Sequence, residues 1–410
     1  MLKLNALSNE TFDSSKSIDK KVTVNGTTIS RNDIVSTGRL LACEFSGKHI
    51  YRANDSEKYE SRCSANGLDY ATLAKNHQRS KILFCAAVAN ESIGKNPPAS
   101  YEEALRGNFQ NNDAFWKAYC AIDEDVIAPI LPSVFEDVAM GGLATIKRVP
   151  LGTTYQVNVA SNDVFLFEDS AWSSARSASY NYLYGKTVTL TPRPFTSQAR
   201  FNWYQDVVQG DAGRYYAALM GGMWNKMYAL FMGALTTAAG NQKYVPNALK
   251  AATYSTTNWN TITSKVAMVN NVTRADLFAF GTVNGLSKVI PMDGTTGAIT
   301  GFMYGLGEEW FGRGFLPRAS GVQLVEVLPV VVPGTQNSSI TEISLGSNIY
   351  IAAKGGYGYA PLMIALAEGS PMTLTATPRE TADLTVDINM TFAADVQPVF
   401  ASKIGVISYS

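Results

Sequence analysis

"GDAGRYYAALMGGMWNKMYALFMGALTTAAG", residues 210–240, is the stretch from which the rest of the chain can be read. Tyr216, Met220, Met223, Met227, Leu230 and Ala234 recur every three or four residues, the spacing that puts side chains on one helical face. Asp211 is an N-cap type, and Gly240 tolerates the positive φ at which helices stop. From Asp211 to Ala239 the helix would run about 43 Å at about 1.5 Å per residue. It is not a membrane span: Lys226 at its middle would cost about 2.5–3.5 kcal/mol in lipid, and Asn225 adds to that. Gly221 and Gly222 weaken the helix by about 1 kcal/mol each but would admit a neighbouring backbone. The expectation is a long strut packed on both sides.

Immediately before the strut lies "TTYQVNVASNDVFLFEDSAWSSARSASYNYLYGKTVTLTPRPFTSQARFNWYQDVV", residues 153–208. Tyr155, Val157 and Val159 alternate with polar residues, as do Val188 and Leu190, so both ends read as strands. Between them lies a segment rich in Ser, Ala, Asn and aromatics. A loop of that length inside a compact domain is uncommon and usually functional. It cannot bury Phe165, Phe167, Trp172, Tyr180, Tyr182 and Tyr184 by itself, and a two-stranded ribbon is marginal alone in water. Another copy of the same chain is the economical cover, and these six aromatics are the candidate inter-subunit contacts.

Further out, residues 1–60 are polar and weakly patterned, an arm with little core. The exception is "KVTVNGTTIS" (21–30), where Asn25-Gly26 predicts a type I′ hairpin. Residues 69–93 predict a helix. A short helix over 99–107 would open on Ser100 with Glu103 as its capping-box partner, and a third, from Asn111, would break near Pro129 and Pro132. Downstream, residues 245–370 mix short helices and strands. "FGTVNGLSKVIP" (280–291) and "ITGFMYGLGEEWFGRG" (299–314) predict helix; "GVQLVEVLPVVV" and "SNIYIAA" predict strands. The cleanest strand is near the end: Leu384, Val386, Ile388, Met390 and Phe392 alternate with Thr385, Asp387, Asn389 and Thr391, one face buried and one wetter.

Only 17% of the 410 residues are charged, and Lys plus Arg equals Asp plus Glu at 34 each, so no basic field draws the chain to nucleic acid. The first residues lack the apolar core of a secretion signal. Cys43, Cys63, Cys85 and Cys120 are widely and irregularly spaced, which predicts free thiols in a reducing compartment. The two histidines, His49 and His77, cannot build a multi-histidine metal site, and no Cys/His spacing fits zinc. His77, beside Lys75, Gln78 and Arg79, is expected on a solvated helix face. No GxSxG elbow is present. Asp123, Glu124 and Asp125, like Glu308 and Glu309, point apart on a helix and are expected as solvated or helix-end charges, or as partners for cations of a neighbouring chain. "GLGEEWFGRG" and "AKGGYGYAP" both fail the phosphate-loop patterns. No enzyme activity, cofactor or metal is expected.

The order of these elements resembles the major capsid protein of tailed bacteriophages, the Hong Kong 97-like fold, over residues 115–410. The resemblance implies an α+β chain with an N-terminal arm and hairpin (1–68), a helical region leading to the P domain (69–150), an extended E-loop β-ribbon (151–203), a P-domain spine helix (204–240), an α/β A domain (241–370) and returning P-domain strands (371–410). It implies a structural protein whose hexamers and pentamers close an icosahedral shell around double-stranded DNA. Its partners would be other copies, a separate scaffolding protein, a portal, and packaged DNA through weak non-specific contact, with no membrane. Its place would be the virion capsid, and the host cytoplasm during assembly. Some members are cross-linked; Lys186 and Asn181 lie in the loop, where ordinary turn chemistry also accounts for them. The other readings are an encapsulin-like nanocompartment shell, a phage tail structural protein, and an enzyme with an unrecognised site.

Overall fold

The computed structural model describes residues 21–24, 27–49, 70–107, 109, 111–127, 144–150, 152–160, 167, 184–210, 212–289, 314–332, 334–335, 337–353, 360–367, 372–378, 385–399 and 403–408. The predicted strut is α5, Ala212–Gly240. Tyr216, Met220, Met223, Met227 and Ala234 are all buried, and Leu219, Phe231, Leu235 and Ala238 widen the buried stripe, while Lys226 is exposed. Asp211 lies outside the described residues. At Gly222 an added Cβ would meet nothing within 4 Å, so no described backbone of this chain packs closely there.

The chain divides into two compact units. The first holds residues 1–135, 193–224 and 367–394. It begins with the expected hairpin, β1 (Lys21–Val24) against β2 (Thr27–Ser30), with Val24 opposite Thr27; the Asn25-Gly26 turn lies outside the described residues. The hairpin leads directly into a helix the sequence reading missed, α1 (Arg31–His49). Its Ile34, Val35, Leu41 and Ala42 are buried, so this part of the supposed arm carries core of its own. Helix α1 packs on α2 (Tyr70–Ser92) and α4 (Asp113–Ile127), and α2 also packs on the short α3 (Tyr101–Arg106). Ser100 caps α3 by accepting from the Glu103 N–H, but the Glu103 carboxylate accepts from the Ala99 N–H. Phe115, Trp116 and Trp203 form the aromatic centre of this unit, with ring centroids 5.4–6.0 Å apart. In the same unit, residues 385–394 of β16 (Thr385–Pro398) run antiparallel between β15 (Met372–Pro378) and β6 (Arg193–Asn202). The sequence reading assigned β6 to the ribbon; its pairing with Thr385–Ala394 puts it in this sheet instead.

The second unit holds residues 136–192, 225–366 and 395–410. Its six-stranded sheet has the order β7 (Lys250–Ala251), β17 (Gly405–Ile407), β13 (Ile349–Ala353), β8 (Leu277–Gly281), β10 (Val322–Glu326), β9 (Arg318–Ala319). The pairs β8–β10 and β7–β17 are parallel, and the others antiparallel. Helix α6 (Thr256–Val269) covers it, burying Trp259, Ile262 and Val266 against Leu277, Ile349, Ile351 and Ile407. Ser320 and Gly321, both at positive φ, form the two-residue link between β9 and β10, the geometry a tight hairpin requires. Two expectations change here. Phe280 and Gly281 end β8, leaving only Val283–Leu286 (α7) helical among the described residues of 280–291; and Gly405–Ile407, expected with the returning P-domain strands, joins this sheet. A further strand, β14 (Leu362–Ala367), is bonded to β3 (Ala144–Val149).

Candidate functional site

The ribbon is built where period-2 apolar residues meet a second apolar surface. Strand β4 (Tyr155–Ala160) pairs antiparallel with β5 (Tyr184–Leu190), Tyr155 opposite Leu190 and Val157 opposite Val188, with a register shift between Asn158 and Ala160. One face carries Val157, Val159, Val188 and Leu190, which pack on Val149, Met363, Ala365 and Val399 of the same unit. The other face is polar, with the Thr187 hydroxyl donating to Asn158 Oδ1 at 3.0 Å. The Thr191 N–H donates to the Asp395 carboxylate at 2.9 Å, pinning the ribbon's exit. The ribbon's root is therefore sheltered by its own chain, a narrower need for a covering neighbour than the sequence suggested.

The six predicted contact residues fall beyond that root. Phe165, Trp172, Tyr180 and Tyr182 lie outside the described residues, as does the side chain of Tyr184, whose backbone pairs with Ala160. Phe167 is 92% exposed. Burying a phenylalanine is worth about 1.5–3 kcal/mol, so in a single copy that gain is forgone.

The first unit holds a charged cluster that the sequence reading placed in solvent. His77 is buried, its Nε2 3.3 Å from the Tyr216 hydroxyl. Lys81 and Asp123 form an ion pair with both side chains 0% exposed. The Tyr216 hydroxyl donates to Asp123 Oδ1 at 2.7 Å, and the Lys81 ammonium sits 3.3 Å from the centre of the Tyr119 ring. Asp125 takes Arg31 as its partner, and Glu124 accepts from the Leu374 N–H at 2.7 Å. The three successive carboxylates do point apart, as expected, and each has a partner in its own unit. Helical periodicity held this signal: His77 and Lys81 share a face with Ala74, Gln78 and Cys85, and Asp123 lies in the stripe of Trp116, Tyr119 and Val126, all buried.

Burial sets the protonation of this cluster. It lowers His77 to about 3, helped by the charge of Lys81, so the ring is neutral. Burial works to lower Lys81 as well, but the Asp123 carboxylate and Tyr119 outweigh it and hold the ammonium above its usual range. The same burial favours the neutral acid at Asp123, opposed by Lys81 and the Tyr216 hydroxyl. Cys85 is pushed up to about 12 by burial, the state of an inert thiol. Cys85 and Cys120 are free, as predicted. Sealed from solvent, the cluster joins α2, α4 and α5 and offers a substrate no entry.

Solved capsid chains are similar to this one. A capsid chain of the cyanophage P-SCSP1u is 10% identical, covering 66% of this chain and 88% of its own, with a TM-score of 0.41. The capsid of a native GTA particle is 13% identical over 65% and 88%, with a TM-score of 0.43. A virus-like particle from Pyrococcus furiosus is 12% identical over 67% and 96%, with a TM-score of 0.35. No protein-family model and no curated protein matches the sequence.

Among the described residues no group of three or more His, Cys, Asp or Glu side chains is placed to hold a metal ion, and no helix is long and apolar enough to cross a membrane. The two Gly-rich stretches at 305–314 and 353–361 fall mostly outside the described residues.

Proposed function

We propose that this chain is the structural subunit of a capsid shell, assembling as hexamers and pentamers around the double-stranded DNA of a tailed phage. The observation that carries the reading is the ribbon: a two-stranded root fixed in its own core, leading into an aromatic-rich segment whose described side chain, Phe167, stands in water. The element order supports it too, with ribbon, long helix, α/β sheet and returning strand following one another along the chain. In an assembled shell each copy would cover its neighbour's ribbon. Interfaces of permanent assemblies bury about 2,000–5,000 Å² and are rich in aromatic anchors, and the balanced charge keeps repulsion among copies low. A scaffolding protein, a portal and weakly held DNA are the partners this role requires.

The test is expression of the full chain and negative-stain electron microscopy, beside a variant lacking residues 169–181. Polyhedral shells or five- and six-membered rings are expected from the intact chain. The deletion is expected to leave a folded subunit, because the packed root is untouched, that no longer assembles. A deletion that unfolds the subunit would show the segment to be core. Tubes would indicate a tail protein, and a stable monomer with no assembly would return the question to enzymes. Shells that carry protein cargo in place of nucleic acid would favour the nanocompartment reading.

A further inference from the structure

The second unit holds a strained residue that its own core does not explain. Ile340 has φ 45°, in the left-handed region. A β-branched residue there is a steric outlier, whereas the other described non-glycine residues at positive φ are Asn271 and Ser320. Ile340 sits just before β12 (Glu342–Ile343), which pairs with β11 (Val330–Val331). Thr335 fixes the turn around it. Its carbonyl accepts from the Ile340 N–H at 2.9 Å and the Ser338 N–H at 3.1 Å. Its hydroxyl accepts from the Thr341 N–H at 3.1 Å and donates to the Val332 carbonyl at 2.8 Å. The side chain held this way is not buried: Ile340 is 65% exposed, and Leu328, at the other end of the same segment, is 40% exposed. The sequence from Val327 to Thr341 contains no charged residue, in a chain where 17% are charged.

We infer that Ile340 is a homotypic docking knob, seated against a second copy of this chain when subunits associate. The Thr335 hydrogen bonds hold the strained backbone, and what they hold out in water is an apolar side chain that its own core does not use, an outlier that points to a role. The occupant follows from charge. Where identical surfaces meet around a rotation axis, any charge near the axis faces its own image, and like charges there repel. An uncharged stretch with an apolar tip avoids this, while it lacks the cations that nucleic acid or an acidic lipid surface would need. The knob presupposes the shell reading given above.

The test compares wild type with Ile340→Gly and Ile340→Asp in the full chain, by thermal unfolding of dissociated subunits and by sedimentation and light scattering through assembly. Glycine accepts the left-handed backbone, so the Ile340→Gly subunit is expected to unfold at the same temperature or higher, yet to need at least about tenfold more protein to associate. Ile340→Asp is expected to block association outright. Equal association of wild type and Ile340→Gly overturns the inference, as does a lower unfolding temperature for Ile340→Gly, which would make the side chain a folding requirement. If wild type associates through Ile340 but never closes shells, the knob stands and the container reading falls. If wild type does not self-associate at all, both fall.

Discussion

Removing the Asp123 carboxylate should unfold the first unit more readily than any surface change, because it strands a charge. Lys81 and Asp123 are both fully buried, and Lys81 also meets the Tyr119 ring and, at 3.5 Å, the Tyr216 hydroxyl. Breaking a buried ion pair by deleting one member costs about 3–5 kcal/mol, since the survivor keeps its desolvation penalty. The Tyr216 hydroxyl also loses its acceptor, worth about 1 kcal/mol. Asp123→Ala is therefore expected to lose about 4–6 kcal/mol. Replacing the pair together, Lys81→Met with Asp123→Leu, removes both charges and should stay within about 2 kcal/mol of wild type, because an apolar pair of similar volume packs where the ions sat. The assay is urea unfolding of dissociated subunits at pH 7, followed by tryptophan fluorescence, to which Trp116 and Trp203 report from the same unit. The reasoning is refuted if Asp123→Ala costs less than about 1 kcal/mol, which is what a hydrated pair would show, or if the double replacement is as damaging as the single one.

Three smaller expectations follow from the same helices. His77 has a folded pKa of about 3 against 6.5 unfolded, so the unfolded chain binds its proton first. Its contribution is intact above pH 6.5 and is lost as pH falls toward 3, about 2 kcal/mol by pH 5; chemical denaturation from pH 7 to 5 should show this slope, and His77→Gln should flatten it. Gly222→Ala, at an open helical position, should raise subunit stability by about 0.5–1 kcal/mol in the same denaturation assay. Gly38→Ala should lower it by about 1–3 kcal/mol despite better helix propensity, because its Cβ would lie 2.7 Å from Val126 Cγ2 and 2.9 Å from His77 Cε1.

The sequence revealed elements whose apolar period is long and unbroken. The strut was legible because methionines and aromatics hold one face over many turns, and the ribbon strands because Val157, Val159, Val188 and Leu190 alternate. Strand β16 was legible in outline, yet its wet face was misjudged. Asp387 is buried because the register sets it opposite Arg200, whose Nε donates to it at 2.9 Å across 187 residues of sequence. No local pattern carries that register. Helix α6 went unseen because Thr, Asn and β-branched residues, modest helix formers, make up much of it. The end of strand β8, Phe280–Gly281, was misread as helix because Leu277–Gly281 is apolar on both faces, a run that does not by itself distinguish strand from helix. His77 and Asp123 were misplaced for a different reason: residue type was weighed above position, although both sit in the apolar stripes of α2 and α4.

That last error bears on how a subunit of the proposed shell would separate folding from assembly. In the first unit three cations are paired within the unit: Lys81 with Asp123, Arg31 with Asp125 and Arg200 with Asp387. Such pairs, each with at least one member buried, fix which helices and strands meet, and their strength does not depend on subunit concentration. In the second unit Phe167 and Ile340, like Met268, are apolar side chains that stand in water and gain only when another surface arrives. Substitutions in the buried pairs should then change unfolding before they change association, and substitutions at Phe167 or Ile340 should do the reverse. A chain whose stability and assembly rose and fell together across both sets would have its interfaces running through its cores, and the ribbon would not be a separate contact element.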